Sequence, residues 1–411
     1  MFKRFTRLYF LVPVFVLFTA LTANAQWVRM TDGLPTSLSI KAIASNGSTI
    51  YAGSPDYQML YVSKNNGLNW TAYPMGVYYI HCLALKGNKI FAGTGWGLIK
   101  IDTNTYSFTV NSFNSLYQMS IAASSSNIYV GTSDSNIFIS SDAGTTWRRQ
   151  STAYNTIYAL YATGSNVYAA TSFGVFFSTD DGLNWTQSQY INWQNLSVIA
   201  KDNTILAGLP GGCIRSTNNG FSWIPISDFS GSVVSLIISG NKIFAGVNSY
   251  NSYSQGVLFT TNLGVNWVQK GEGLGYKDLL YINANDQYIF AGSYLYGIWR
   301  RPLTEMVGVE NISEKVPIGY SLAQNFPNPF NPMCNVQFTM CNAGKVKLVV
   351  YDIQGREIQT LVNERLNAGT YEVKFDGSML TSGVYFYRMT IRHGGSSTDG
   401  FTETKKMLLI K

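Results

Sequence analysis

The chain has 411 residues and a formal charge of +7, from 29 Lys and Arg against 22 Asp and Glu. That excess is too mild to argue for a nucleic-acid partner. With 12% charged residues, 38 Gly, 27 Tyr, 23 Phe and 9 Trp, the composition suits many short strands joined by tight turns rather than helices.

At the N-terminus, Lys3, Arg4 and Arg7 precede an apolar run from Leu8 to Leu21, and Ala23-Asn24-Ala25 precedes Gln26. This is the layout of a secretory signal peptide over 1–25 with an A-x-A cleavage site. A retained membrane anchor is the alternative, but the run is short for a spanning helix. The mature chain is expected to start near Gln26 and to be exported. Its formal charge falls from +7 to +4, because three cations leave with the leader. Cys82, Cys213, Cys334 and Cys341 are widely scattered, show no metal-ligand spacing and read as unpaired thiols.

From residue 51 a short signature recurs: YAGS (51–54), FAGT (91–94), YVGT (129–132), YAAT (168–171), LAGL (206–209), FAGV (244–247) and FAGS (290–293). The starts are separated by 40, 38, 39, 38, 38 and 46 residues. A period near forty marks a repeat architecture. Each unit runs through an apolar stretch, a polar turn, the signature strand, a variable loop, a third strand, an octet and a strand that starts at the octet's Trp. Four strands per unit is the content of one propeller blade. The seventh unit stops at GIWRRPL (297–303), but QWVRMTDGL (26–34) matches NWVQKGEGL (266–274), so Trp27 stands where Trp267 stands. The first strand is therefore expected to complete the last unit and remove its free edge. The expected fold is all-β, a seven-bladed propeller over 26–303. An open solenoid is the alternative, and it leaves the seventh unit one strand short.

The octets are SKNNGLNW (63–70), SSDAGTTW (140–147), STDDGLNW (178–185), STNNGFSW (216–223) and TTNLGVNW (260–267). Position three is Asn65, Asp142, Asp180, Asn218 and Asn262. Asp and Asn share a side-chain oxygen that accepts backbone N–H groups in a turn; metal or acid–base work would not tolerate Asn. Position five is Gly67, Gly144, Gly182, Gly220 and Gly264, which points to a positive φ. Position eight is Trp70, Trp147, Trp185, Trp223 and Trp267. Full burial of one such ring is worth at most about 4–6 kcal/mol, against about 1 kcal/mol for a turn-capping oxygen. The octet reads as a structural staple. In the second unit it has decayed to IDTNTYSF (101–108), keeping an aromatic at Phe108. These octets resemble the Asp-box, or BNR, hairpin S-x-D-x-G-x-T-W, found in sialidases, sortilin-type receptors, xyloglucanases and photosystem assembly factors. The resemblance implies a propeller hairpin and leaves function open.

Successive turns of a blade alternate between two faces. The variable loops share the face opposite the octets, as functional loops tend to, and they are aromatic. Tyr57, Trp96, Phe173, Trp193, Tyr250, Tyr253, Tyr294 and Tyr296 form the candidate binding face. Glycosidase chemistry needs two carboxylates. The acidic candidates on this face are Asp32, Asp56, Asp134, Asp228, Glu272 and Asp278, of which Asp32 and Glu272 are equivalent turn positions. The F/Y-R-I-P motif of sialidases is not found, and the propeller arginines that could form their carboxylate-holding triad are few: Arg29, Arg148, Arg149, Arg215, Arg300 and Arg301. His81 and His393 fall in different domains and read as structural or solvated. No catalytic residue, metal ligand or cofactor is assigned.

After Leu303 the repeat stops. Residues 304–320 form a polar linker. SLAQNFPNPFNP (321–332) is an extended, proline-broken lead, followed by alternating stretches such as KVKLVVYD (345–352) and GVYFYRMTI (383–391) and a tail KKMLLIK (405–411). This pattern over 321–411 suggests a small Ig-like β-sandwich. Gln324-Asn325-Phe326-Pro327-Asn328-Pro329-Phe330-Asn331-Pro332, Val350-Tyr351-Asp352 with Gly355-Arg356, Ser382-Gly383-Val384-Tyr385-Phe386-Tyr387 and Lys405-Lys406-Met407 resemble the type A C-terminal sorting domain of type IX secretion cargo. The resemblance implies recognition by the type IX translocon and release or attachment at the cell surface. It makes Pro327, Pro329, Gly383, Tyr385, Lys405 and Lys406 the candidate sorting residues. The chain thus reads as a secreted or outer-membrane-associated monomer that binds a glycan, peptide or protein. A glycoside hydrolase or lyase of sialidase-like or xyloglucanase-like type is the alternative, and a structural assembly factor is a third reading.

Overall fold

The computed structural model describes residues 26–76, 78–111, 118–151, 156–188, 194–248, 255–271, 273–274, 278–306, 310–313, 316–378, 380–392 and 400–411. The expected signal peptide lies outside them. Among the described residues the regular structure is almost all strand, and the helical element is a 3-10 turn at Leu303–Glu305.

Seven four-stranded antiparallel sheets occupy the described residues from Val28 to Pro302. The first unit is representative: Ala42–Asn46 is its inner strand, followed outward by Thr49–Gly53, Met59–Ser63 and Thr71–Pro74. The second strand of each unit carries the repeated signature, and Tyr51, Phe91, Tyr129 and Phe290 are buried there. Large apolar residues on both faces of these strands are what a sheet packed between two others requires. The inner strands touch in succession: Ala42–Asn46, Ile80–Lys86, Gln118–Ala123, Ile157–Thr163, Ser197–Lys201, Ser232–Ser239 and Leu279–Ala284. The last of them returns to the first. The sheets therefore sit around an axis like propeller blades, and that contact excludes the open row.

The last sheet takes its outer strand from the other end of the chain. Val28–Met30 pairs antiparallel with Gly297–Pro302, in the register Val28 with Arg300, Arg29 with Trp299 and Met30 with Ile298. The apolar core is divided among the seams. Each cluster joins residues of two neighbouring units, and each receives one aromatic from an outer-strand start. Trp70 packs with Met30, Phe290 and Ile298. Phe108 packs with Tyr51, Leu60 and Ile99, and Trp267 with Leu206, Phe229 and Val233. Trp27 packs with Phe244, Phe259 and Ile289 and donates its indole N–H to the Lys270 carbonyl at 2.7 Å. Trp27, Trp70 and Trp267 are buried, whereas Trp147, Trp185 and Trp223 keep part of the ring in solvent. The full-burial energy expected of every octet Trp therefore overstates those three.

Beyond Glu305, two further four-stranded sheets enclose one core. Met333–Met340 and Gly369–Asp376 pair in one sheet, and Gly344–Tyr351 and Gly383–Arg392 pair in the other. Phe330, Phe338, Phe375, Tyr387, Met407 and Leu409 are buried between them.

Trp27→Ala removes the aromatic of a closing seam. It should cost about 3–5 kcal/mol in urea unfolding; a loss below about 1 kcal/mol would mean that this strand does not hold the ring.

Candidate functional site

The octets are organised by a residue that the Asx–Gly–Trp reading passes over, the hydroxyl at position one. Ser63 Oγ accepts the Gly67 N–H at 2.8 Å and donates to Asn65 Oδ1 at 2.9 Å. Ser140, Ser178, Ser216 and Thr260 repeat both bonds. The Asx oxygen then accepts from the far side of the turn: Asn65 Oδ1 from Asn69 N–H at 3.0 Å, Asp180 Oδ1 from Asn184 N–H at 2.9 Å and Asp142 Oδ1 from Thr146 N–H at 2.9 Å. The backbone N–H and amide of Asn184 and the Ser178 hydroxyl together pull the Asp180 carboxyl down to about 2. Asp142 is held low first by the Thr146 hydroxyl. Such groups are bound acceptors, unsuited to proton transfer near neutral pH. In the decayed octet Asp102 takes over. Its Oδ1 accepts from Asn104 and Thr105 N–H at 2.9 and 3.1 Å, and Lys89 pairs with Oδ2 at 2.5 Å.

Octets also bind the preceding unit. Gly144 has φ +79°, and a Cβ there would meet Phe91 Cε1 at 2.5 Å. At Gly182 and Gly264 the neighbours are Ile139 and Leu206, again one unit back. Arg300 donates to the Asn66 carbonyl at 2.5 Å, Arg215 to the Leu263 carbonyl at 2.8 Å and Arg148 to the Gly182 carbonyl at 3.3 Å. Two turns that follow outer strands approach the next octet. Trp70 N–H donates to the Asp32 carbonyl at 3.1 Å, the Asn69 amide donates to the Asp32 carboxylate, and Trp267 N–H donates to Asp228 Oδ2 at 3.1 Å. Gly33, at φ +79°, lies so close to Trp70 that a Cβ would stand 2.0 Å from its carbonyl oxygen. Asp32 and Asp228 are thus corrected from the variable face to the octet seams. The reason is strand length: Val28–Met30 and Ile224–Ile226 have three residues each. At about 3.3 Å per residue, the chain has advanced about 10 Å when these acids arrive.

The variable loops present their rings from buried hydroxyl anchors. Ser54 Oγ accepts the Asp56 and Tyr57 N–H groups at 3.0 and 3.2 Å. Thr94 Oγ1 accepts Trp96 N–H at 3.1 Å, and Thr171 Oγ1 accepts Phe173 N–H at 3.1 Å. Ser293 Oγ donates to the Gly297 carbonyl at 3.0 Å, closing the loop that carries Tyr294 and Tyr296. These hydroxyls are the fourth letter of YAGS, FAGT, YAAT and FAGS, so the signal was in the repeat itself. Tyr57, Trp96, Phe173, Tyr294 and Tyr296 are exposed, Trp96 at 60%. Trp193, Tyr250 and Tyr253 lie outside the described residues, as do Glu272 and His393. Asp56 accepts Ser39 N–H at 3.0 Å. Asp134 accepts from the Thr132 hydroxyl and, at 2.6 Å, from the Asn136 amide. Both carboxylates therefore brace loops. At the start of the inner strands, the His81 pKa is pushed down to about 4, first by burial and then by the charge on Lys41.

In the C-terminal sheets the two ends of 321–411 meet. Lys405, Lys406 and Met407 lie in the last strand, Gly400–Leu409, which pairs on one side with Gly383–Arg392, setting Gly383 opposite Leu409 and Tyr385 opposite Met407. On its other side sits the proline-broken lead. Gln324 Nε2 donates to the Lys406 carbonyl at 2.6 Å, Leu408 N–H donates to Asn328 Oδ1 at 2.9 Å, and Phe330 exchanges backbone bonds with Leu408 and Ile410. Tyr387 OH fixes the same lead, accepting Asn325 N–H and donating to the Ala323 carbonyl, both at 2.7 Å. Pro327, Pro329, Gly383, Tyr385, Lys405 and Lys406 are thereby gathered on the last strand and its two flanks.

Residues 324–401 match the family model described as a secretion system C-terminal sorting domain. No curated protein matches the chain. Among solved structures it is similar to YCF48 from Cyanidioschyzon merolae, at 12% identity over 68% of this chain and 99% of that one, with a TM-score of 0.56. It is similar to the extracellular domain of a putative one-component system from B. thetaiotaomicron, at 15% identity over 78% and 45%, with a TM-score of 0.55. PorZ, an essential bacterial surface component of the type-IX secretion system of Porphyromonas gingivalis, is similar over 93% of this chain and 60% of its own, at 14% identity and a TM-score of 0.53. At these identities the likeness is one of fold. The chain carries a propeller-like array of sheets and a type IX sorting tail, which marks it for the cell exterior.

Ser178→Ala leaves the buried Gly182 N–H without its acceptor and should cost about 1–3 kcal/mol in urea unfolding. Asp180→Asn, which installs the residue found at the same position in three other octets, should cost less. Because the folded Asp180 pKa lies below its ordinary 3.8, its contribution is present above about pH 3.8 and lost as pH falls toward 2; Asp180→Asn should flatten unfolding free energy in that window. His81 acts higher. Its folded pKa near 4 lies below the ordinary 6.5, so its contribution is present above 6.5 and lost as pH falls from 6.5 to 4. Denaturation midpoints should show that loss in the parent chain and a shallower one in His81→Gln.

Proposed function

We propose that this chain is a seven-bladed Asp-box propeller carried to the cell surface by type IX secretion, where it binds a glycan, peptide or protein through its variable loops. The chain divides into a signal peptide (1–25), the propeller (26–303), a linker (304–320) and an Ig-like sorting sandwich (321–411). The observation that carries the export half is the match over 324–401. The junction of the proline-broken lead with the last strand supports it, since both halves of the expected signal form one surface. Lys406 is exposed there, available to a translocon.

The binding half is supported by a division of labour between the two faces. Octet side chains are consumed by turns and seams, so their repetition serves the ring. The variable loops hold exposed rings on short, hydroxyl-anchored turns. Rigid aromatic side chains give large contact areas with little entropy lost on binding.

Deletion of 320–411 should leave a folded propeller in the periplasm, scored by fractionation and surface proteolysis. Appearance of the truncated chain at the surface would remove the sorting assignment.

A further inference from the structure

Among the described residues of the propeller, five of the seven exposed rings, Trp96, Tyr79, Tyr57, Tyr296 and Tyr294, belong to units two, one and seven or to the segments joining them; the other two are Phe173 and, in an octet, Phe221. The corresponding loops of units three and five read Thr132-Ser133-Asp134-Ser135 and Leu209-Pro210-Gly211-Gly212 and carry no ring. The five lie along one connected path: Ile80, the residue after Tyr79, pairs with Thr94, whose hydroxyl anchors the Trp96 loop. Ile80 N–H donates to the Ser54 carbonyl at 3.1 Å, which sets Tyr79 beside the loop of Tyr57. Tyr57 OH donates to the Ser37 carbonyl at 3.1 Å. The next residue, Leu38, bridges to Tyr296, and Gly297 N–H donates to the Leu38 carbonyl at 2.6 Å. The path therefore crosses the seam where the chain closes on itself.

Its tip is held in a costly conformation. Leu295, between Tyr294 and Tyr296, has φ 60°, a region that branched and bulky residues rarely enter. Ser39 Oγ accepts the Leu295 N–H at 3.2 Å, and Leu38 N–H donates to its carbonyl at 3.4 Å. Strain maintained by neighbouring contacts is a feature of ligand-presenting loops. Charge is sparse along the path. Arg29, which donates to the Thr36 carbonyl at 2.7 Å, Lys41, Asp56 and Asp278, whose carbonyl accepts the Tyr294 N–H, are the charged residues near it, and Asp56 is bound to Ser39. A row of flat rings with hydroxyls and nearly balanced charge offers little to a polyanion and much to the apolar faces of uncharged sugars.

We infer that this arc is the binding site for a neutral oligosaccharide, laid across units two, one and seven, with Trp96 and the Tyr57–Tyr296 pair as stacking platforms. The inference rests on the variable-face reading above and narrows it to one sector and one ligand class. A polypeptide ligand is the competing occupant. Phe173, in unit four, stands outside the arc.

The test uses the mature full-length chain on an array of neutral hexasaccharides, followed by calorimetry with each one bound. At least one should bind. Trp96→Ala and the double variant Tyr57→Ala/Tyr296→Ala should each weaken it at least about ten-fold. Phe173→Ala should stay within about two-fold, and thermal midpoints should hold because the rings are exposed. No bound neutral sugar, or binding indifferent to Trp96 and to the Tyr pair, would overturn the arc. Peptides captured from a display library in a Trp96-dependent manner, with sugars ignored, would overturn the ligand class while leaving the variable face as the binding surface. Ligands bound without regard to any variable-loop ring, Phe173 included, would overturn both.

Discussion

The structure depends on a backbone pairing between residues about 270 positions apart: Val28–Met30 against Gly297–Pro302. The core is not a central mass but a set of seams, each shared by two units. An open ring would expose two half-seams and two strand edges, which a sheet protein must hide. Trp27 fills one of those half-seams, and Met30 lies against Trp70 and Phe290 in the next. Ring closure by a three-residue strand is thus reinforced by side chains on both sides of it.

The octets work within that constraint. A serine hydroxyl ties the glycine amide to the Asx side chain, the Asx oxygen ties the far limb of the turn, and the turn's carbonyls accept arginines from the unit before. In all five octets the position-one hydroxyl and the Asx oxygen are bound within the turn. Exposed rings are found instead on the variable loops, where buried Ser and Thr hydroxyls accept the loop amides. The C-terminal sheets follow the same logic with different parts: Gln324, Asn328 and Phe330 cover the edge of the last strand, which would otherwise be open to pairing.

Much of this was legible in the chain. The forty-residue period, the glycines and the tryptophans were visible because turns and close approaches tolerate few residue types. The missing strand was visible because QWVRMTDGL copies NWVQKGEGL. Other features were hidden. The octet Ser and the loop-anchoring Ser and Thr look like ordinary polar strand ends until their partners are known. Gly144 reads as a turn glycine, and its second reason, Phe91 of the preceding unit, is a contact between units. Asp32 and Asp228 were misplaced because strand count gives the alternation of faces but not how far a three-residue strand carries the chain. The clasp between Asn328 and Leu408 joins residues eighty apart, with no periodic pattern to announce it.

Hydrogen exchange followed by mass spectrometry tests the closure most directly. In the mature chain, the amides of Gly297–Pro302 that face the first strand should exchange slowly. In a chain beginning at Asp32 they should exchange at the rate of an open edge, with the protection of Tyr288–Ser293 weakened in turn. Equal protection of 297–302 with and without residues 26–31 would contradict a ring closed by its own N-terminus.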